Sequence, residues 1–336
     1  MLRENVESNF FQGLQGSAKV HYLRISVTDR CNERCVYCFP QDLGFLSKKE
    51  NILSFEEIYW TIFYGALRHG FKDFRITGGE PLVRKGTVSF IWQLTKISGV
   101  RSVRLSTNGT LLGLYARKLK EANIAGVNVS LDCLNPALYK KITGGEIAPV
   151  LEGIEECQKV GIESVKINTV LLRGINEEEF LPLIEWASEK NLVIRFIELM
   201  PISYTGKISK ENFLSVAELK KRLEKQDDLE PLDYKLGQGP AKYFWMKKRN
   251  AIVGFIGAIS DFHFCDNCNK MRLTSDGFIR PCLGNHLEID IKPFLRPSVD
   301  PLKIYKAFEL ALQRKPPEHS FRENYNPGRV MTSIGG

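Results

Sequence analysis

The chain has 336 residues, 43% of them hydrophobic, which is enough to bury one barrel-sized core and a smaller one. Nothing in it approaches the ~18 consecutive apolar residues of a membrane span, and residues 1–17 show no secretion signal, so a cytoplasmic protein is expected. A formal net charge of +8 favours an anionic partner, nucleic acid or a phosphorylated small molecule, although an ordinary soluble surface accounts for it equally well.

After an N-terminal tail over 1–21, strand-like runs alternate with helix-like ones. YLRISVT at 22–28 places Leu23, Ile25 and Val27 at a period of two, which predicts a strand. TDRCNERCVYCFP follows, with Cys31, Cys35 and Cys38 close together. In SFEEIYWTIFYGALRHG, Ser54 and Glu57 predict a capping box for a helix that Gly70 stops. Further strands are expected at 73–77, 102–107, 126–132, 164–172 and 192–200, with helical patterns between them, such as 176–190. Six strand–helix units predict an α/β fold with a parallel sheet, two units short of a closed barrel, and so an open (β/α)6 partial barrel over 22–204. The strand ends read TDRC, TGGEP, STNG, SLD, NTVLLRG and ELMP. Polar, glycine-rich tips on apolar strands mark the face on which such barrels build their sites. After about 205 the rhythm is lost, and a smaller C-terminal domain is expected over 205–336.

Clustered thiols in a reducing compartment suggest metal or catalysis before disulfides. Cys31, Cys35 and Cys38 have the spacing C-x3-C-x2-C, unlike zinc motifs built from C-x2-C pairs. A four-iron, four-sulfur cluster takes thiolates at such spacings, and three of them leave one iron open. Cys265, Cys268 and Cys282 form a second set, C-x2-C-x13-C. This second set suits either structural zinc, with His263 or His286 as fourth ligand, or another cluster with an open iron. Lys270 and Arg272 directly after the thiol pair favour an anionic substrate there. Cys133 and Cys157 lie in apolar patterns and read as core.

The first cysteine loop, with Tyr37 just before its last cysteine and TGGEP on the next strand, resembles the radical S-adenosylmethionine (SAM) superfamily. With FCDNCNKMRLTSDG and IGG added, the chain from about residue 22 onward is similar to the GTP 3′,8-cyclase family of molybdenum-cofactor biosynthesis. The resemblance implies a partial barrel with two [4Fe-4S] clusters. The first, on Cys31, Cys35 and Cys38, would bind SAM and yield a 5′-deoxyadenosyl radical. The second, on Cys265, Cys268 and Cys282, would face GTP. It further implies that Tyr37, Gly79, Ser130 and Met200 contact SAM, and that Arg24, Arg75, Ser106, Lys166, Lys270, Met271 and Arg272 contact GTP. Arg272 would also take part in catalysis. The product would be a 3′,8-cyclic dihydroguanosine triphosphate, passed to a separate cyclic pyranopterin monophosphate synthase. A homodimer is implied, and neither a nucleic-acid nor a membrane partner; no reductant is indicated. The family's double-glycine tail is expected to reach back toward the pocket, bringing a carboxylate among Arg24, Arg75 and Lys166.

Three departures stand out. Lys270 replaces a usual arginine, Ser106 replaces a usual threonine, and a glycine–arginine pair ahead of the first strand is missing. Two other readings compete: a peptide-modifying radical SAM maturase with an auxiliary cluster, and a non-catalytic nucleic-acid-binding protein with two zinc sites.

Overall fold

Six strands follow one another along the chain and across the sheet: β1 (Tyr22–Ser26), β2 (Asp73–Thr77), β3 (Ser102–Thr107), β4 (Val127–Ser130), β5 (Val165–Leu171) and β6 (Val193–Glu198). All five pairings between them are parallel. The computed structural model describes residues 20–39, 46–203, 210–234, 236–323 and 325–336. The expected 1–21 tail therefore lies almost wholly outside the described residues, and so does the expected boundary at 204–205. Each of the six strands falls inside a segment whose alternation predicted it. Alternate positions bury Leu23, Ile25, Phe74, Ile76, Val103 and Leu105 under the helices, leaving the opposite face to the barrel interior.

The remaining strands join the same sheet. They are β7 (Leu229–Pro231), β8 (Lys242–Met246), β9 (Ala251–Ile256), β10 (Lys270–Leu273), β11 (Phe278–Arg280) and β12 (Ile289–Asp290). β9 pairs parallel with β6, and β10 pairs parallel with β1. Eight parallel strands thus stand side by side in the order β10-β1-β2-β3-β4-β5-β6-β9, with antiparallel β8–β7 and β11–β12 at the two ends. Among the described residues the sheet stays open, because its end strands β7 and β12 do not pair with each other. The strand–helix rhythm of the sequence breaks here for a physical reason. β9 is reached from β6 through helix Val216–Glu224 and then the antiparallel β7–β8 strands, and β10 follows β9 through a cysteine loop with no helix, so neither repeats the simple strand–helix unit.

The Ser54–Glu57 capping box forms as the sequence predicts: Ser54 Oγ accepts from the Glu57 amide at 3.1 Å, and Glu57 accepts from the Ser54 amide at 2.7 Å. The helix Phe55–Thr61 then widens to a π turn over Ile62–Ala66 and ends at Gly70. That wide turn lies against helix Pro301–Gln313, where a Cβ on Gly65 would sit 2.3 Å from the Phe308 ring. Cys133 and Cys157 are fully buried in the core. Among the described residues no helix is long and apolar enough to cross a membrane.

Candidate active site

The strand register stacks arginines. Arg272 on β10 lies directly opposite Arg24 on β1, Arg24 opposite Arg75 on β2, and Arg75 opposite Arg104 on β3. A fifth, Arg280 on β11, continues the row beyond Arg272 but is paired with Glu288. Further along, Asn128 opposes Lys166, and Asn168 opposes Arg195. Like charges set directly opposite across a sheet repel, so this row is costly unless something anionic lies against it. All of these residues except Arg280 line one cavity, which has a volume of about 190 Å³ and opens to solvent. No carboxylate stands among the described residues of its wall.

The cavity's polar atoms are short of partners. Arg24 Nε, Arg104 Nε, Arg195 Nε and Nη2, and Asn168 Oδ1 are buried without a hydrogen-bond partner among the described residues. Burial, then the neighbouring Arg75, holds the Arg24 guanidinium down to about 10. The Lys166 ammonium is lowered to about 7 by burial and by Arg195, Arg104 and Arg75. An unsatisfied cationic wall of this kind fits a polyanion.

Of the residues expected to meet GTP, Arg24, Arg75, Lys166, Lys270, Met271 and Arg272 line this cavity. Ser106 stands behind it, accepting from Arg75 Nη1 at 3.3 Å. Lys270 donates to Asn269 Oδ1 at 2.8 Å and lies 5.7 Å from the Tyr22 ring centre. Sequence reading missed Arg104 and Arg195, although SVRLST and VIRFIE repeat the apolar–Arg–apolar phase of LRIS and FRIT. It also missed Lys315, whose ammonium reaches the cavity from beyond the barrel.

Cys265, Cys268 and Cys282 open onto the same cavity, half-buried and unpaired. Cys265 and Cys268 precede β10, and Cys282 follows β11, so one antiparallel hairpin brings them together. Burial raises the Cys265 and Cys282 thiols. Burial also acts on Cys268, but the Lys315 ammonium and the Lys270 amide and charge outweigh it, leaving that thiol below its ordinary value. His263, the first alternative ligand, instead meets Asp266 at 2.9 Å, and His286 stacks on Tyr325 with ring centres 4.9 Å apart. Among the described residues no three Cys, His, Asp or Glu side chains converge on a single ion. A cuboidal cluster gives each thiolate its own iron and needs no such convergence.

The first cysteine set sits at the carboxyl end of β1, in a loop held by its neighbours. The Arg34 and Val36 amides donate to Thr143 and Ile142 at 2.7 and 2.9 Å. The Gly79 amide donates to Thr28 O at 2.7 Å, and the Glu80 amide to Arg30 O at 2.8 Å. A Cβ on Gly79 would lie 2.3 Å from Arg30 O, so this approach requires glycine. Glu80 in turn accepts from Thr107 Oγ1 and the Asn108 amide, at 2.9 and 2.7 Å, and Asn108 Nδ2 lies 3.9 Å from Cys31 Sγ. Tyr37 donates to Asp132 at 2.6 Å. TGGEP, STNG and SLD thus brace the loop that carries three thiols. Burial pushes Cys31 up to about 11 and Cys38 up to about 12, so deprotonation there calls for a metal centre. Of the residues expected to meet SAM, Tyr37 and Gly79 belong to this loop region and Met200 to the cavity wall, while Ser130 is exposed at the end of β4.

The double glycine meets the arginine row at Arg24 and Arg272. Arg272 donates to Gly335 O, and Arg24 and Thr77 donate to Gly336 O. Gly335 has φ +91°, and a Cβ there would meet Thr77 at 2.6 Å. Upstream, Arg329 anchors this segment to Asp276 at 2.7 Å and to Glu288 at 2.8 Å.

Two family models cover most of the chain: Radical SAM superfamily over residues 25–187 and Molybdenum Cofactor Synthesis C over 192–321. The GTP 3′,8-cyclase of Petrotoga mobilis is 41% identical over 94% of this chain and 98% of its own length. That of Pelotomaculum thermopropionicum is 42% identical over 95% and 98%. Among solved structures, Streptococcus suis SuiB bound to S-adenosylmethionine superposes with a TM-score of 0.62 at 18% identity, covering 81% of this chain and 63% of that longer one. Native anSMEcpe with bound AdoMet gives 0.56 at 19% identity over 89% and 82%. These last two show the fold, and the long, close matches show the kinship: the chain belongs to the GTP 3′,8-cyclase family of radical SAM enzymes.

Proposed function

We propose that this protein cyclises GTP to 3′,8-cyclo-7,8-dihydroguanosine triphosphate, the first step of molybdenum-cofactor biosynthesis, using SAM and two [4Fe-4S] clusters. The observation that carries this reading is the in-register row of arginines facing a cavity with no carboxylate side chain among its described residues and bordered by the second cysteine set. The donor sets fit the clusters: each is three free thiols, with no fourth cysteine beside them among the described residues. When bound, the first cluster and SAM supply the radical that abstracts hydrogen.

The residues of the chain bind and orient the substrate. Arg75, Arg104, Lys166 and Arg195 hold the triphosphate, whose charge relieves their repulsion. Lys270, Met271 and Arg272 lead from the arginine row to Cys268, placing the base toward the second cluster. Tyr37, Gly79, Ser130 and Met200 hold SAM at the carboxyl ends of the strands, and Ser106 orients Arg75. The protein works in the cytoplasm as a homodimer and hands its product to a cyclic pyranopterin monophosphate synthase. No nucleic acid or membrane partner enters this reading.

The test is anaerobic protein supplied with SAM, GTP and a strong reductant. About eight irons per chain are expected, with GTP consumed to a product of unchanged mass. About four irons plus zinc would remove the second cluster, and modification of a peptide in place of GTP would favour the maturase reading.

GTP binding should also depend on pH. With Lys166 lowered to about 7, the free site is mostly neutral at that residue by pH 8. A bound triphosphate favours the charged form and raises its pKa, so binding above pH 7 takes up a proton. Affinity is then expected to fall as pH rises from 7 to 9, by up to about tenfold per unit. Calorimetry in buffers of different ionisation enthalpy reads that proton directly. A Lys166→Met protein should bind more weakly with a flatter profile; an unchanged profile would assign the proton elsewhere.

A further inference from the structure

We propose that Lys315 is a positioning residue for the second cluster: its ammonium ties together the segments carrying Cys268 and Cys282 and makes that cluster easier to reduce. The inference rests on the assignment of a cluster to Cys265, Cys268 and Cys282.

An ammonium has three N–H donors, and all three of Lys315's have partners on the cysteine-bearing hairpin. Nζ lies 2.7 Å from Pro281 O, 2.9 Å from Lys270 O and 3.6 Å from Cys268 Sγ. Lys270 opens β10 two residues after Cys268, and Pro281 follows β11 immediately before Cys282. The two carbonyls belong to the same end of the antiparallel pair, so one cation closes it. Lys315 is presented by a firm element, since it lies two residues beyond helix Pro301–Gln313. That helix packs Phe308 against Gly65 and Phe71, and Tyr305 against His69.

The charge faces the sulfur with little competition. Lys315 forms no ion pair with a carboxylate among the described residues, and the cavity it reaches has none in its described wall. Adding an electron to a thiolate-bound cluster adds negative charge beside this ammonium. In a half-buried setting that attraction is stronger than in water, and hydrogen bonds to cluster sulfurs are among the features that set the potential. With its three donors taken up by Pro281 O, Lys270 O and Cys268 Sγ, Lys315 acts through Cys268.

The test separates charge from hydrogen bonding. Lys315→Gln keeps donors for the carbonyls and loses the charge, whereas Lys315→Arg keeps both. Each full-length protein is loaded with iron and sulfide and titrated potentiometrically with dithionite while EPR follows both clusters. The signal that SAM perturbs belongs to the first cluster, and the other to the second. Lys315→Gln should shift the oxidised-to-reduced balance of the second cluster about tenfold toward oxidised, equivalent to ~59 mV for one electron. The first cluster should not move, and Lys315→Arg should restore the parental value. A parental potential in Lys315→Gln, or equal shifts in both variants, overturns the proposal. If the parent itself lacks a second iron cluster, the cyclase reading fails first, and iron analysis of the parent shows this before any variant is made.

Discussion

Alanine at Cys31, Cys35 or Cys38 is expected to reduce reductive SAM cleavage to the level of cluster-free protein. Alanine at Cys265, Cys268 or Cys282 is expected to leave uncoupled cleavage running while GTP conversion disappears. The division follows from where the two sets lie. The first sits on the loop braced by Gly79, Glu80, Asn108 and Asp132, away from the arginine-lined wall, and the second opens onto that wall. Removing a thiolate from the first set removes the open iron on which SAM depends. Removing one from the second leaves the SAM machinery intact and takes away the surface toward which, in the proposed reading, the base is directed. 5′-Deoxyadenosine and cyclised GTP, measured in the same reaction, check both halves. Equal loss of deoxyadenosine from the two sets would contradict the assignment.

Deleting Gly335 and Gly336 should spare both clusters and SAM cleavage but lower product formation by about 10²-fold, the order of loss expected when reacting groups are misplaced by an ångström. Their oxygens engage Arg24, Thr77 and Arg272, so the tail fixes two arginines of the row before substrate arrives. Without the tail, Arg24 and Arg272 are free to turn toward the triphosphate and draw it out of place. Gly335→Ala should produce most of the same loss, because its φ of +91° and the 2.6 Å approach to Thr77 leave no room for a Cβ. Parental product formation by the deletion protein would show the tail to be packing only.

The parts of the molecule that repeat a local pattern were legible in the sequence. Strands β2 and β3 fall where DFRIT and SVRLST place them, because alternation and burial agree there. The Ser54–Glu57 cap was equally readable, being a contact across three residues. What escaped was non-local. That β10 pairs with β1 rather than starting a separate sheet depends on a contact across most of the chain, which no short window carries. Arg104 and Arg195 carried the right phase on the right kind of strand, but one arginine on a strand is ordinary until the fold turns it into the cavity that Arg24, Arg75 and Arg272 also line. Lys315 had no motif at all. Only the fold brings the residue after a surface helix to Cys268.

The pairing of β10 with β1 also bears on how the chain is made. β1 emerges early from the ribosome, yet one of its two neighbours is about 250 residues further along. At 5–20 residues per second that is a delay of roughly 12–50 s. Through that interval β1 presents a row of unpaired amides and carbonyls to any other nascent strand, the usual route to misassembly. Such long-range closure also slows folding after release. Arg24 lies in the middle of that exposed strand, and a charged side chain on an open edge deters stray pairing. The residue that later faces the cavity thus guards the half-made chain against aggregation, and hydrophobic substitutions there should lower soluble yield before they are ever assayed for activity.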